Sequence, residues 1–366
     1  MNTIFLLQTF LLSLTCMGQN LAIRRTDSLF EKYANQITGF KKSQNVRIVF
    51  YNVENLYDPY DDTTKMDNEF TSTGARRWSY SRFQTKLNHL SKTLFAIGEW
   101  EPPAIVGLCE VENKYVLNKL IFQTPLKKFK YRIIHHDSPD ARGIDVTLLY
   151  RPEKFTVLTW KCIQVRFPFD TLTQTRDILM VKGKVFLQDT IILFVNHWPS
   201  RRGGYLGSQP RRNFVAGLLR SKIDSIFRMD HNPNIIVMGD FNDEPDKESL
   251  SSILDARPLL NNCGSTDLIN LMYPKESQWN EGTIKYQGQW SIFDQFIVSG
   301  NLVRKSDESK AMFADAHIFK GDFLMEKDDR YLGEKLKRTY TGPRYLGGFS
   351  DHLPIYLDLK KKWKNE

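Results

Sequence analysis

The chain has 366 residues, of which 41% are hydrophobic and 13% are aromatic. This composition allows a large buried core and excludes an intrinsically disordered protein. The 51 basic residues exceed the 42 acidic ones and give a formal net charge of +9. A basic surface favours anionic partners such as nucleic acid or phosphorylated lipid headgroups.

The N-terminus carries an apolar run, IFLLQTFLLSLTCMG, at positions 4–18. The run is too short for a comfortable membrane span and predicts a signal peptide over residues 1–18, although no lysine or arginine precedes it. A buried N-terminal helix is the alternative. Lipid attachment at Cys16 is less favoured, because Thr15 stands where a small residue is usual. The protein is therefore expected to be secreted or periplasmic, with residues 19–44 as an N-terminal extension and no stable membrane span.

Residues 45–362 are expected to form one domain, because no linker or low-complexity tract divides them. A polar, acidic stretch at 58–77 is interpreted as a solvated loop. Apolar residues at helical spacing predict an amphipathic helix at 79–98, with further helices near 116–121 and 210–227. Strands are predicted at 46–51, 104–109, 131–135, 145–150, 155–165, 178–187, 191–196, 234–239, 282–286, 293–298 and 355–359. Strand runs with helices between them indicate a layered α/β fold.

Chemically active groups stand at the ends of these strands. The apolar run at 234–238 leads into Asp240 and Asn242, which an extended backbone points the same way. In open α/β sheets, ligands collect outside strand ends. The same pattern recurs at Asn52 with Glu54, at Glu110, at Asn196 with His197, at Asp294, and at Asp351 with His352. Each group alone has an ordinary explanation as a cap, a turn or a core side chain. Together they predict one active site.

This set of groups suits the hydrolysis of phosphate esters. Carboxylate and amide oxygens hold a hard divalent cation such as Mg²⁺, with Mn²⁺ or Ca²⁺ as alternatives. An aspartate or a histidine can align or deprotonate a water molecule. No Ser, Cys or Lys lies in a recognisable nucleophile motif, no glycine-rich phosphate loop is present, and no CxxC pair points to zinc. Direct attack of water on phosphorus is therefore the predicted reaction.

Seven segments stand in a fixed order along the chain: FYNVENLYD, GLCEVEN, RGIDVTLLYRP, VNHWPS, GDFNDEP, WSIFDQFIVS and GGFSDHLPI. Over positions 45–360 they resemble the endonuclease/exonuclease/phosphatase superfamily with the DNase I-like fold, and most of all its secreted bacterial nuclease-like branch. The resemblance implies a four-layer α/β sandwich, in which two mainly antiparallel β-sheets pack face to face with flanking helices outside.

The resemblance also implies which residues hold the metal. Asn52, Glu110 and Asp351 would form the metal site, and Glu54 would lie near it. Glu112 is the alternative to Glu110, because strand alternation fits both residues; the family pattern favours Glu110.

Catalytic roles follow from the same resemblance. Asp240 would align or activate the attacking water, and Asn242 would orient the water or the phosphate. His352, oriented by Asp294, would contact the scissile phosphate. His197 would bind phosphate or transfer a proton. Which of these groups acts as the general base stays open, because coupled titrations blur such an assignment.

Substrate contacts are predicted from residues beside these groups. Arg142 precedes a strand at a position where relatives place a phosphate-contacting side chain. Ser200, Arg201 and Arg202 open the segment SRRGGYLGSQPRR and are expected at the rim of the site. The guanidinium groups of Arg201 and Arg202 match phosphate oxygens well. The two arginines that end this segment either join them or begin the next helix with local ion pairs.

Three functions compete on this sequence. The first prediction is a secreted, metal-dependent endonuclease that cleaves DNA, or alternatively RNA, and that is a monomer. A phosphatase or phosphodiesterase that acts on inositol phosphates or phospholipid headgroups is the alternative; the C-terminal half lacks the Pro-x-Trp-x-Asp-Arg pattern of inositol polyphosphate 5-phosphatases. A binding protein with a lost active site is disfavoured, because every predicted site position keeps a chemically competent residue.

Overall fold

A computed structural model describes residues 45–99, 101–259, 262–273, 281–303 and 312–361. The predicted signal peptide, Cys16, the extension at 19–44 and the predicted domain end at 362 lie outside these ranges. No helix within them is long and apolar enough to cross a membrane.

Three α-helices and nineteen strands make up the regular structure of the described residues. The helices are α1 (Tyr80–Gly98), α2 (Lys114–Gln123) and α3 (Tyr205–Met229). The strands are β1 (Asn45–Leu56), β2 (Ile105–Val111), β3 (Arg132–His135), β4 (Asp145–Tyr150), β5 (Phe155–Ile163), β6 (Ile178–Val185), β7 (Asp189–His197), β8 (Ile235–Asp240), β9 (Ala256–Arg257), β10 (Leu268–Asn270), β11 (Ile284–Tyr286), β12 (Gln289–Ser291), β13 (Asp294–Ser299), β14 (Met312–Ile318), β15 (Met325–Lys327), β16 (Glu334–Leu336), β17 (Tyr340–Thr341), β18 (Arg344–Tyr345) and β19 (Ile355–Lys361).

Two sheets hold the long strands. The first has the order β14-β19-β1-β2-β4-β3, and the second has the order β5-β6-β7-β8-β13-β10-β9. Neighbouring strands are antiparallel except in the pairs β1–β2, β7–β8 and β9–β10, which are parallel. The prediction of two mainly antiparallel sheets is confirmed.

Side-chain alternation on β1 separates two cores. Ile48 and Phe50 enter the core between the sheets, where they are fully buried. Val49 and Tyr51 point to the other face of the sheet and join the cluster that contains the apolar sides of α1 and α2.

The second sheet repeats this arrangement on β8. Ile236 and Met238 enter the core between the sheets, whereas Ile235 and Val237 pack in the cluster that contains the apolar side of α3. Each such side chain contributes roughly 1.5–3 kcal/mol when it leaves water. The result is the expected sandwich of helices, sheet, sheet and helix.

The stretch at 58–77 differs from its interpretation as a solvated loop. Phe70 is 5% exposed and stacks on Tyr57, with ring centroids 4.3 Å apart. Asp58 and Asp67 are buried as well, where they accept backbone N–H groups of their own loop. Counting polar residues missed this, because one aromatic side chain anchors the stretch to the core.

Candidate active site

Three neighbouring strands of the second sheet present polar side chains at one end of the inter-sheet space. On β7, β8 and β13, strand register pairs His197 and Asp294 with Asp240. Met238, two residues before Asp240, lies in the core between the sheets, so alternation points Asp240 into the same space. From the facing sheet, the Nδ2 of Asn52 donates to Asp240 Oδ2 at 3.0 Å. Residues from both sheets therefore meet at Asp240.

Asp240 is held as an acceptor by two donors. Besides the Asn52 amide, the backbone N–H of Asn242 donates to Asp240 Oδ1 at 2.9 Å. Burial raises the pKa of Asp240 to about 6, against the opposing pull of the nearby His352. A carboxylate with this pKa can accept a proton from water near neutral pH.

His352 is paired with a buried carboxylate. Its Nδ1 lies 2.7 Å from Asp294 Oδ2, and its Nε2 lies 3.9 Å from Asp240 Oδ2. Burial opposes the charged imidazolium, but Asp294 and Asp240 outweigh it and hold the pKa of His352 well above its ordinary value. The side chain therefore presents a positive charge at the site.

His197 lies in different surroundings. Its Nε2 is 3.8 Å from Asp240 Oδ2 and 3.9 Å from Glu110 Oε1, and its buried Nδ1 has no hydrogen-bond partner among the described residues. Burial lowers the pKa of His197 well below its ordinary value, and Arg176 and Arg142 act in the same direction. This imidazole is therefore neutral at pH 7.

Irregular backbone brings Glu110 to the site. The registers of β1 with β2 and of β2 with β4 shift at this point, and Glu54, Asn55 and Glu110 adopt φ of 51°, 59° and 62°. Asn242, after β8, has φ of 52°. Such left-handed non-glycine residues cluster at functional sites, and bulges re-aim side chains there.

These bulges also decide between the two candidate glutamates. Glu110 Oε2 accepts the N–H of Asn55 at 2.9 Å, and Oε1 faces His197. Glu112 instead accepts the N–H of Asp58 at 2.6 Å, in the loop after β1. The structure therefore places Glu110 at the site.

Asp351 and Glu54 share a cationic partner, Arg338, that the sequence did not reveal. Arg338 donates to Asp351 Oδ2 at 2.7 Å and lies 3.5 Å from Glu54 Oε1. Glu54 also accepts the backbone N–H groups of Thr339 and Tyr340. Asp351, predicted as a metal ligand, is here engaged by an arginine.

A buried lysine lies close to this group. Lys86 on α1 is 1% exposed and donates to Thr339 Oγ1 at 2.6 Å and to the carbonyl of Phe349. Burial lowers the pKa of Lys86 to about 8, which the carboxylate of Glu54 opposes. The sequence signal was available, since Lys86 lies between Phe83 and Leu90 on the apolar side of an amphipathic helix.

The donor set fits a hard divalent cation. Ligand atoms of Asp240, Asp294 and His352 lie within 4.8 Å of one another, but the imidazole is already paired with Asp294, so the carboxylates and not His352 would face a cation. The predicted ligands adjoin this group, because Asn52 contacts Asp240 and Glu110 lies beside His197. Asp294 keeps a buried Oδ1 without a hydrogen-bond partner among the described residues. Burial raises the pKa of Cys109, which lies beside His197 and Asp240, well above its ordinary value. Buried carboxylate oxygens in excess of donors are compensated by a cation with oxygen ligands.

The residues predicted to contact the substrate differ in whether their side chains have partners within the protein. Arg201 donates to the carbonyl of Asn242 at 2.9 Å, to Asp243 at 2.9 Å and to Glu244. Its guanidinium therefore anchors the turn after β8, which replaces the predicted phosphate contact. Ser200 and Arg202 are exposed.

The two arginines that end this segment take the alternative predicted for them. Both lie inside α3. Arg211 pairs with Asp170, and the fully buried Arg212 pairs with Asp243 Oδ2 at 2.8 Å. They therefore brace α3 rather than face a substrate. The structure thus brings the predicted catalytic residues together and splits the arginine-rich segment.

An α/β sandwich that gathers carboxylates, amides and two histidines where its sheets meet defines a hydrolase of the phosphoesterase class. Residues 47–361 match the model of the Endonuclease/Exonuclease/phosphatase family. The chain belongs to this family, whose enzymes depend on divalent metals. No curated protein matches the sequence.

Solved structures of this fold resemble the chain at low identity. A humanized D. rerio TDP2 carrying 14 mutations is 16% identical, with a TM-score of 0.52 over 87% of this chain and 99% of that one. An endonuclease/exonuclease/phosphatase family protein from Bacteroides thetaiotaomicron is 14% identical, with a TM-score of 0.53 over 88% and 100%. The human Nocturnin catalytic domain with bound sulfate is 15% identical, with a TM-score of 0.51 over 87% and 95%. At these identities the likeness shows the fold.

Proposed function

We propose that the protein is a secreted nuclease that hydrolyses phosphodiester bonds of DNA or RNA by direct attack of water. The observation that carries this proposal is Asp240. It is buried, it is contacted from both sheets, and it lies between a cationic His352 and a neutral His197. The net charge of +9 supports a polyanionic substrate.

In the proposed reaction each of the four groups has a separate role. Asp240 accepts a proton from the attacking water, and Asn242 orients this water or the phosphate. His352, fixed by Asp294 at 2.7 Å, donates to a phosphate oxygen as charge develops there. The neutral His197 binds a second phosphate oxygen or relays a proton.

We propose Mg²⁺ as the physiological cation, with Mn²⁺ or Ca²⁺ as substitutes. Glu110 and Asn52 would hold it through their side-chain oxygens, and Asp351 would bind it directly or through a water molecule. When bound, a divalent cation stabilises negative charge on the phosphoryl oxygens and on the leaving group.

Metal removal tests this proposal. EDTA is expected to abolish cleavage, and Mg²⁺ or Mn²⁺ is expected to restore it. The panel should contain duplex DNA, single-stranded DNA, RNA, inositol phosphates and phospholipids, because the family name covers nucleases and phosphatases alike. Full activity in chelator would contradict metal dependence. Turnover of inositol phosphates or phospholipids alone would favour the phosphatase alternative over the nuclease.

Export remains part of the proposal. The apolar run at 4–18 supports a signal peptide that is removed after residue 18. Expression of the full chain in a bacterial host, followed by N-terminal sequencing of the exported protein, tests it. A chain that stays in the cytoplasm with its N-terminus intact would contradict export.

A further inference from the structure

A pocket of about 650 Å³ opens beside the candidate active site. Asn55, Tyr57, Phe70, Arg76, Arg142 and Arg202 are among its lining residues. Asn55 connects the pocket to the site, because its N–H donates to Glu110 Oε2 at 2.9 Å. A substrate with its scissile phosphate at Asp240 therefore has a second cavity next to it.

The first arginine of the pocket is fixed in place. Arg76 lies over two aromatic rings, 5.2 Å from the centroid of Phe70 and 5.1 Å from that of Tyr340. Its Nε lies 3.2 Å from Glu69 Oε2, and its NH1 donates to the carbonyl of Gly342. This side chain is a preorganised part of the wall, and Glu69 offsets its charge.

The other two arginines keep donors available. The side chain of Arg142 is 39% exposed, and its Nε stands 3.7 Å from Asp140, beyond hydrogen-bond distance. Asp140 is also engaged by Arg176 at 3.1 Å. Arg202 is exposed and has no hydrogen bond or ion pair among the described residues.

Charge decides what the pocket can take. Three guanidinium groups and one carboxylate, that of Glu69, line it, so the wall carries a net positive charge. The neighbouring catalytic cleft is lined by carboxylates, which repel an anionic substrate until a cation is present. Guanidinium groups bind phosphate through paired N–H donors. Arg202 can do so without breaking an internal pair, and Arg142 gives up only its 3.7 Å contact with Asp140.

We propose that this pocket binds a second phosphate of the substrate, next to the phosphate that is cleaved. This inference rests on the proposed phosphodiesterase function and narrows it: the preferred substrate carries at least two phosphates. In a nucleic acid the second group is the adjacent backbone phosphate; in a small ester it is a second phosphate on the same ring.

The test compares substrates with one and two phosphates. The nucleotide set is dTpdT, which has only the scissile phosphate, with pdTpdT and dTpdTp, which add one on either side. Inositol monophosphate and bisphosphate form the small-ester arm. The KM is expected to be about tenfold lower for at least one two-phosphate member of a set than for its one-phosphate member.

The variants are Arg202→Ala and the double substitution Arg142→Ala with Arg202→Ala. Each should raise the KM of the preferred two-phosphate substrate about tenfold or more and raise the KM of dTpdT by a clearly smaller factor. Arg257→Ala is the matched control, since this exposed arginine pairs, among the residues that the structure describes, with Asp255 alone, at 2.9 Å. Thermal melts establish that the variants fold.

Failure of the pocket and failure of the function give different results. Equal KM values for one-phosphate and two-phosphate substrates, or variants that weaken both equally, overturn the pocket and leave the phosphodiesterase intact. If nothing is cleaved, calorimetric titration of pdTpdT and dTpdTp into the protein decides. If the protein binds these compounds and Arg202→Ala weakens the binding, the pocket proposal stands and the proposed enzymatic function is contradicted. If neither compound binds, both proposals are contradicted.

Discussion

The two histidines of the site lie at nearly the same distance from Asp240, yet their surroundings give them different charges, positive for His352 and neutral for His197. His352 has a carboxylate partner at 2.7 Å and faces a second one, and its pKa stands well above the ordinary value. His197 is buried beside arginines with an unpartnered Nδ1, and its pKa stands well below it. The neighbouring groups, and not the residue type, therefore determine that one imidazole is positively charged and the other is neutral.

The largest loss of kcat is expected when Asp240 or His352 is replaced. Asp240→Asn and His352→Ala should each lower kcat by at least about a hundredfold, because each removes a proton-transferring or charged group from the reacting centre. Steady-state kinetics in Mg²⁺ on the best substrate of the panel provide the measurement.

His197→Gln sharpens the comparison. It removes no charge at neutral pH, so we expect a smaller loss than for His352→Ala. Equal losses would mean that the two imidazoles do not differ in charge during turnover. A folded Asp240→Asn variant with a normal rate would take this carboxylate out of the mechanism, and an unfolded one would give it a structural role.

A smaller effect, on stability, is expected to distinguish Arg201 from Arg202. Arg201→Ala should lower the free energy of unfolding by about 1–2 kcal/mol, because it leaves the buried Asp243 with one charged partner fewer. Arg202→Ala should leave stability unchanged, since that side chain is exposed. Urea unfolding of both variants gives the values, and equal stabilities would contradict the anchoring role of Arg201.

The smallest effect is the pH dependence of the reaction. Burial raises the pKa of Asp240 above its ordinary value, to about 6, so the ionised form that accepts a proton is lost as the pH falls through that range. The midpoint of this loss is therefore expected near pH 6. We expect kcat/KM to fall about tenfold per pH unit below the midpoint. An optimum near pH 5 would give the proton-accepting role to another group.

Strand alternation carried most of what the sequence could predict. His197 and Asp240 end strands, Asp294 begins one and Asn52 follows the apolar residues of β1, and the sequence predicts that all four lie at one site. The helix at 80–98 was predicted to within one residue at its start, because its apolar spacing is regular. The start of α3 was missed by five residues, since Gly207 and Pro210 in its first two turns are typical of a loop.

Contacts between distant segments account for what the sequence could not show. Arg338 reaches Asp351 and Glu54 from a region with only short strands, and no local pattern marks it. Arg201 and Arg202 are adjacent in sequence and identical in type, yet only one has Asp243 and Glu244 within reach. Such differences depend on tertiary packing, which composition and periodicity do not contain.

The left-handed backbone at Glu54, Asn55, Glu110 and Asn242 has a consequence for engineering. Residues other than glycine cost on the order of 1–3 kcal/mol in such conformations, so any procedure that optimises stability would treat these four positions as defects. Straightening the strands there would turn Glu110 away from His197 while leaving the sandwich intact. Thermostabilised versions of this protein should therefore keep these four backbone irregularities, because in this fold activity and stability trade against each other at the ends of β1, β2 and β8.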